Sequence, residues 1–370
     1  MSGDSSALPA HRPRLRPDIL LSAPFLRGAE TVHLVQDPVG GACFSVGPKE
    51  YFLISRLDGV RSTQEISDEY AATFGRLLSE AHWHRLLGLL GNRRLLTGSR
   101  PSATTSPLPS QPLTGTLYRG SLRLVADAEA ASGRLHRTLR PLLRGRFVLP
   151  LLALCAVMEI VLATEVPTLV SDTWWTVQQP AALVAVFTLL WLSTVGHELA
   201  HGVSAKHYGG SVSEIGLRWR LPVVIMYCRV DNYRFLARRR HQLVIGASGA
   251  FANLIFLLPF AAWWLVLDVA DPARRALSAL LLLGSLQSLV NFLPLPPLDG
   301  YTMLGNALRV DDYAPASGRY LRLRLRDRQS AAAYPKRARL LYTAYGIGSF
   351  VLVLVLAGAL IAGAWHQLIR

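Results

Sequence analysis

The chain has 370 residues, of which 51% are hydrophobic, and carries a formal net charge of +15; its mean hydropathy is +0.29. A soluble chain this basic usually binds nucleic acid and is seldom so apolar, whereas a membrane chain reconciles both values if its apolar residues form spans and its charges collect on one side. Whole-chain disorder is therefore excluded, a single soluble domain is disfavoured, and no nucleic-acid partner is expected.

In chain order, residues 1–18 are polar, contain prolines and are expected to be disordered. They have no apolar centre that would make them a signal peptide. Residues 19–98 read as a small soluble α+β domain. Strand-like runs near 31–36 and 42–46 flank Gly40-Gly41, a hairpin signal. Helical patterns follow at 49–57, 62–74 and 78–91, and Ser62 precedes the second as an N-cap. Residues 99–115 form a Pro/Ser/Thr linker with nothing to pack. Residues 116–146 are a basic juxtamembrane segment that starts with a short strand at 116–126.

From residue 147 onward five apolar runs each approach the ~20 residues needed to cross ~30 Å of hydrocarbon. They lie at 147–166, 181–206, 243–267, 277–294 and 340–364. Residues 147–370 are thus expected to be one multi-spanning α-helical membrane domain. The connections alternate in charge: 116–146, 207–242 and 301–339 are rich in arginine, while 167–180 has no Lys or Arg and 268–276 has only Arg274 and Arg275. The positive-inside rule then puts the N-terminal domain in the cytoplasm and the C-terminus outside, in a plasma membrane of bacterial type. Cys43, Cys155 and Cys228 are too few and too scattered for a disulfide framework or a cysteine zinc site.

The chemistry concentrates in His197-Glu198-Leu199-Ala200-His201. Histidines at i and i+4 share a helix face and can hold one Zn²⁺, and the glutamate between them can move a proton to and from water. The motif lies inside an apolar run, where unpaired ionisable groups are costly. Zinc needs a third protein ligand. Asp299 is the candidate, in a stretch whose prolines break the helix and whose Gly300 lets the chain turn. Asn253 and Asn291 are candidates for binding substrate, or else interhelical hydrogen-bonding residues. Glu159 is a further intramembrane carboxyl that can pair, snorkel or line a water path. His207 and His241 fall off the ligand face. Segment 221–236 is apolar but too short to span; as an edge strand it could hold an extended peptide by β-addition.

His197-Glu-Leu-Ala-His201-Gly, followed by Asn291-Phe-Leu-Pro-Leu-Pro-Pro-Leu-Asp299-Gly300, resembles the site-2 protease family of intramembrane zinc metalloproteases. The likeness covers about residues 181–305. It implies a single zinc held by His197, His201 and Asp299, with Glu198 activating water. The family's Gly-Pro-x-x-Asn segment corresponds to Gly249-Ala-Phe-Ala-Asn253, with Ala250 where proline is usual. Tyr227-Cys-Arg-Val-Asp-Asn-Tyr-Arg234 is similar to a segment of the subgroup described as peptide zinc metalloproteases. Residues 19–98 resemble the winged-helix elements that recognise precursor peptides in ribosomal-peptide modification. That likeness implies leader capture near Thr31–Gln36 and helix 78–91.

Three functions are compatible with these features. The first is a zinc endopeptidase that removes the leader from a ribosomally made precursor peptide. The second keeps the chemistry but cleaves a membrane-anchored regulator. The third is a non-catalytic peptide receptor or exporter component, for which Glu198 would have no use. The expected partners are a peptide substrate and the lipid bilayer.

Overall fold

The structure is a computed structural model that describes residues 10–98, 113–116, 118–221, 223–236 and 238–369. Residues 1–9 of the N-terminus and 99–112 of the expected linker lie outside these. The chain divides into two compact units, Met1–Pro109 with Arg309–Arg370, and Ser110–Leu308.

The N-terminal part of the first unit comprises β1 (Leu20–Leu21), β2 (Phe25–Arg27), β3 (Glu30–Gln36), β4 (Cys43–Val46), α1 (Pro48–Ile54), α2 (Thr63–Phe74) and α3 (Glu80–Asn92). The hairpin foreseen around Gly40-Gly41 is β3–β4, with Val35 opposite Phe44. Ser62 caps α2 through a reciprocal box with Glu65, satisfying two backbone donors that the first turn leaves over. Val35, Ile54, Ile66 and Leu95 fill the core, each almost fully buried. Two expectations are corrected. Strand β3 is interior: β1 and β2 pair along one side of it and β4 pairs with His33–Gln36 along the other, so most of the expected Thr31–Gln36 surface has no edge for an added strand. Residues 10–18 are also not disordered. Leu15 N–H donates to Leu57 O and Arg16 N–H to Leu95 O, each at 2.8 Å. The buried Arg16 guanidinium bridges Asp18 and Asp37 and donates to Arg94 O. A lone polar segment reads as disorder in sequence because its partners are far along the chain.

The second unit begins with β5 (Leu113–Gly115), β6 (Arg119–Arg123) and α4 (Ala128–Leu139). It continues with α5 (Gly145–Thr164), α6 (Val166–Val177), α7 (Pro180–His207), β7 (Val212–Arg220), β8 (Val223–Val230), α8 (Arg239–Val266), α9 (Pro272–Val290) and α10 (Asp299–Leu308). The strands form one antiparallel sheet in the order β5-β6-β7-β8, so β8 lies at its edge. The segments read as connections at 167–180 and 207–242 thus contain α6 and the β7–β8 pair. After the second unit come α11 (Tyr313–Arg326), α12 (Arg328–Ala332) and α13 (Lys336–Ile369), where a basic loop was expected at 301–339.

Among the described residues, four helices are long and apolar enough to cross a bilayer: Gly145–Thr164, Pro180–His207, Arg239–Val266 and Lys336–Gly363. They carry exposed apolar side chains, such as Leu149, Val157 and Ile160 on α5 and Phe187 and Trp191 on α7, as expected of surfaces facing lipid. The fifth expected span, 277–294, falls on α9, which is not among the four. Its hydropathy is lowered by Arg274 and Arg275 in its first turn and further by polar residues that face protein. Ser278 donates to Asp172 of α6 at 2.7 Å, Ser285 to Glu159 of α5 at 2.7 Å, and Gln287 to Thr194 of α7 at 2.9 Å. Leu280 and Leu281 on the same helix are fully buried. Glu159 is accordingly paired, in a bond between α5 and α9.

The hydrogen bond from Arg16 holds the Asp18 carboxyl below the usual range, helped by the attraction of the two charges. This link stabilises the fold above the ordinary carboxylate pKa and is lost as pH falls through the depressed Asp18 value. Replacing Arg16 with Ala strands the buried Asp37 and should cost about 3 kcal/mol. Hydrogen exchange at Leu34–Gln36 is expected to accelerate in Arg16→Ala, with α7 unchanged.

Candidate metal centre

The site assembles from three elements of the second unit. Helix α7 presents His197 and His201 one turn apart, with ring centroids 4.8 Å from each other. Asp299 starts α10. Between α9 and α10 the prolines prevent a continuous helix, and the Gly300 N–H closes the turn on Asn291 O at 2.7 Å. A Cβ at position 300 would collide with the Phe292 and Leu293 backbone, so only glycine permits this return. It brings Asp299 Oδ2 to 3.0 Å from His197 Nε2 and 3.3 Å from His201 Nε2, while the two nitrogens lie 3.1 Å apart. The three sequence-designated ligands therefore meet, and their donor atoms form the candidate metal group.

The chemistry of this group favours a cation. Asp299 Oδ2 is buried and has no hydrogen bond of proper geometry, despite the two nearby ring nitrogens. A proton on one nitrogen could serve only one of the three contacts. A tetrahedral zinc about 2.0–2.1 Å from each donor would hold the donors about 3.3 Å apart, close to the spacing found. Helix α8 leaves the room: a Cβ added at Gly249 would lie 2.5 Å from His197 Nε2 and 2.6 Å from His201 Nε2. His197 is 6% exposed and the Asp299 side chain 26%, so access lies on the aspartate side.

Further residues orient the rings. His201 Nδ1 is 2.7 Å from Ile245 O; donating to that carbonyl leaves the Nε2 lone pair for a metal. His197 Nδ1 lies 3.2 Å from the Asn253 amide, whose other end is 2.9 Å from Ser193 Oγ. In the structure the Asn253 amide nitrogen faces His197 and its oxygen accepts from Ser193; Nε2 ligation requires Nδ1–H to donate, which calls for the amide turned over, with Oδ1 toward His197 and Nδ2 toward Ser193 Oγ. Asn253 is 1% exposed and is committed to His197 and Ser193. It thus follows the interhelical alternative of the two readings open for it, as a positioning residue behind the histidine. Asn291 contributes its backbone carbonyl to the Gly300 turn. Glu198 stands outside the three-ligand group, with its carboxylate against the Cys228 backbone N–H of β8. Sequence reasoning missed Ser193 and Ile245. Ser193 carries a helical signal, being four residues before His197; a carbonyl such as Ile245 O carries none.

His207 and His241 belong elsewhere. His207 Nδ1 is 3.4 Å from His136 Nε2 of α4, and His241 stacks on Tyr208 at 4.2 Å.

Comparison of the chain with protein-family models, with curated proteins and with solved structures returned no match.

Two substitutions test the centre without touching a ligand. Asn253→Ala should weaken zinc binding by about 10–100-fold by releasing the His197 ring. Gly249→Ala should lower the zinc bound per chain, because its methyl fills the space beside both Nε2 atoms. Chelator competition and elemental analysis of purified protein measure both.

Proposed function

We propose that the chain is an intramembrane zinc endopeptidase that processes a ribosomally made peptide. The observation that carries this reading is the convergence of His197, His201 and Asp299 within apolar helices, with Glu198 beside them but outside the ligand set. Bound there, zinc would supply Lewis-acid polarisation of the scissile carbonyl and of water.

The chain's own residues do the rest. Glu198 takes the proton of the attacking water and returns it to the leaving amine, so that neither a hydroxide nor an amide anion has to form free. The Ile245 carbonyl and the Asn253 amide hold the two histidine rings in the tautomer that directs Nε2 inward. The Gly300 turn holds Asp299 opposite them. A substrate must be unwound before its peptide bond can be cut, and the outer edge of β8 offers backbone groups for an extended strand next to Glu198. The N-terminal domain would capture the leader at the cytoplasmic face. Because β3 is interior, the added strand would run along Phe44–Val46 of β4. In this reading α9, packed on α6 and α8, crosses as the fifth span, so that the C-terminus lies outside the plasma membrane.

The test is cleavage of a co-expressed candidate precursor, followed by mass spectrometry. Glu198→Gln should lower the rate by about 100-fold or more while leaving zinc bound. Equal cleavage by the variant would remove Glu198 from the mechanism. Zinc-dependent cleavage of a membrane-anchored regulator, with none of a precursor, would keep the chemistry and replace the substrate.

A further inference from the structure

A cleft lies in the first unit, remote in sequence from the candidate metal ligands. Helices α11, α12 and the first turns of α13 enclose a cleft of about 1010 Å³. Its walls carry Arg324, Arg328, Lys336 and Arg339, and no carboxylate is among the lining residues. Its apolar side includes Leu340 and Ile347.

The packing of the two helices explains the cleft. Tyr313 stacks on Tyr345 at 4.3 Å and donates to Leu341 O at 3.0 Å. Further along α11, Leu321 meets Gly346, where any Cβ would collide with it, and Arg324 donates to Thr343 at 3.3 Å. From Tyr313 to Arg324 is about 16 Å of helix, yet their partners fall within residues 341–345, about 6 Å of α13. Helix α11 therefore crosses α13 steeply instead of running along it. The cleft opens between the basic half of α11 and the start of α13.

Helix α13 has 34 residues and is about 50 Å long, more than the ~30 Å hydrocarbon thickness. When this helix crosses a bilayer, its Lys336 end reaches the headgroup layer at one face. There the cleft would present cations at headgroup level and aliphatic side chains about one to three turns deeper. Leu325 and Leu340 are 86% and 70% exposed beside these arginines. Arg339 Nε is buried without a hydrogen-bond partner among the described residues. None of the four cations forms an ion pair with a described carboxylate.

We infer that this cleft binds the phosphate headgroup of an anionic phospholipid, with an acyl chain lying along Leu340 and Ile347 of α13. The phosphate oxygens would accept from Arg324, Arg328, Lys336 and Arg339. The site is independent of the zinc reading and needs only that α13 enters a bilayer.

The experiment is native mass spectrometry of the full chain in detergent, titrated with phosphatidylglycerol or phosphatidylcholine. Wild type should retain phosphatidylglycerol in preference to phosphatidylcholine. Arg324→Gln/Arg328→Gln/Arg339→Gln should lose that retention by about 10-fold or more, while Arg134→Gln/Arg137→Gln/Arg140→Gln on α4 should keep it. Equal loss in both triple variants would make the effect one of net charge and overturn the site. So would equal retention of the two lipids, or displacement of the lipid by inorganic phosphate at matched concentration. The lipid comparison and the phosphate competition use wild type alone, so they decide the question even if the triple variant misfolds.

Discussion

Three lone-pair atoms, two imidazole nitrogens and a carboxylate oxygen, are held within 3.3 Å of one another in the second unit. Such atoms repel unless a positive charge lies between them, and a single proton cannot serve all three contacts. Much of the surrounding architecture can be read as a means of holding them there. Helix α7 sets the spacing of the histidines, the proline-broken return to Gly300 brings the aspartate, and the bare backbone of α8 at Gly249 keeps the space beside them open. The arrangement is held from behind by Ile245, Asn253 and Ser193, whose hydrogen bonds fix the direction of each ring.

The same need to satisfy polar groups among apolar helices explains α9. Its serines and glutamine bond to α5, α6 and α7, so its sequence is less apolar than that of its neighbours. A helix surrounded by protein can carry such groups because each finds a partner, whereas a helix facing lipid cannot. Glu159, an expensive residue when considered alone, is one of those partners. The exposed apolar residues are most numerous on α13 and also lie on α5, α7 and α8, with Leu286, Leu289 and Val290 on α9.

Much of the chemistry was legible in the chain because it depends on short spacings. The i, i+4 interval dictates that His197 and His201 share a face, and Asp299-Gly300 after a proline-rich break marks a return. The Ser62 cap and the β3–β4 hairpin were readable for the same local reason. Less legible were the features that depend on distant partners. Arg16 is buried because Asp37 and Arg94 come to it, β3 is interior because β1 and β2 fold back on it, and Asn253 faces His197 across 56 residues of chain.

The opening paradox of a basic yet apolar chain also takes a more specific form. Its arginines do not act as one charge field. Some are buried in ion pairs, as Arg16 is, and Arg324, Arg328 and Arg339 line a cleft beside the start of α13. By itself the sequence determined the alternation of apolar helices with basic connections and the identity of the candidate metal-binding residue types, because periodicity and hydropathy are local properties. Only the tertiary structure decided which polar groups are paired, which strand is left at a sheet edge and where the cations converge. Those outcomes depend on distances between residues that are remote in the chain, and no local pattern encodes them.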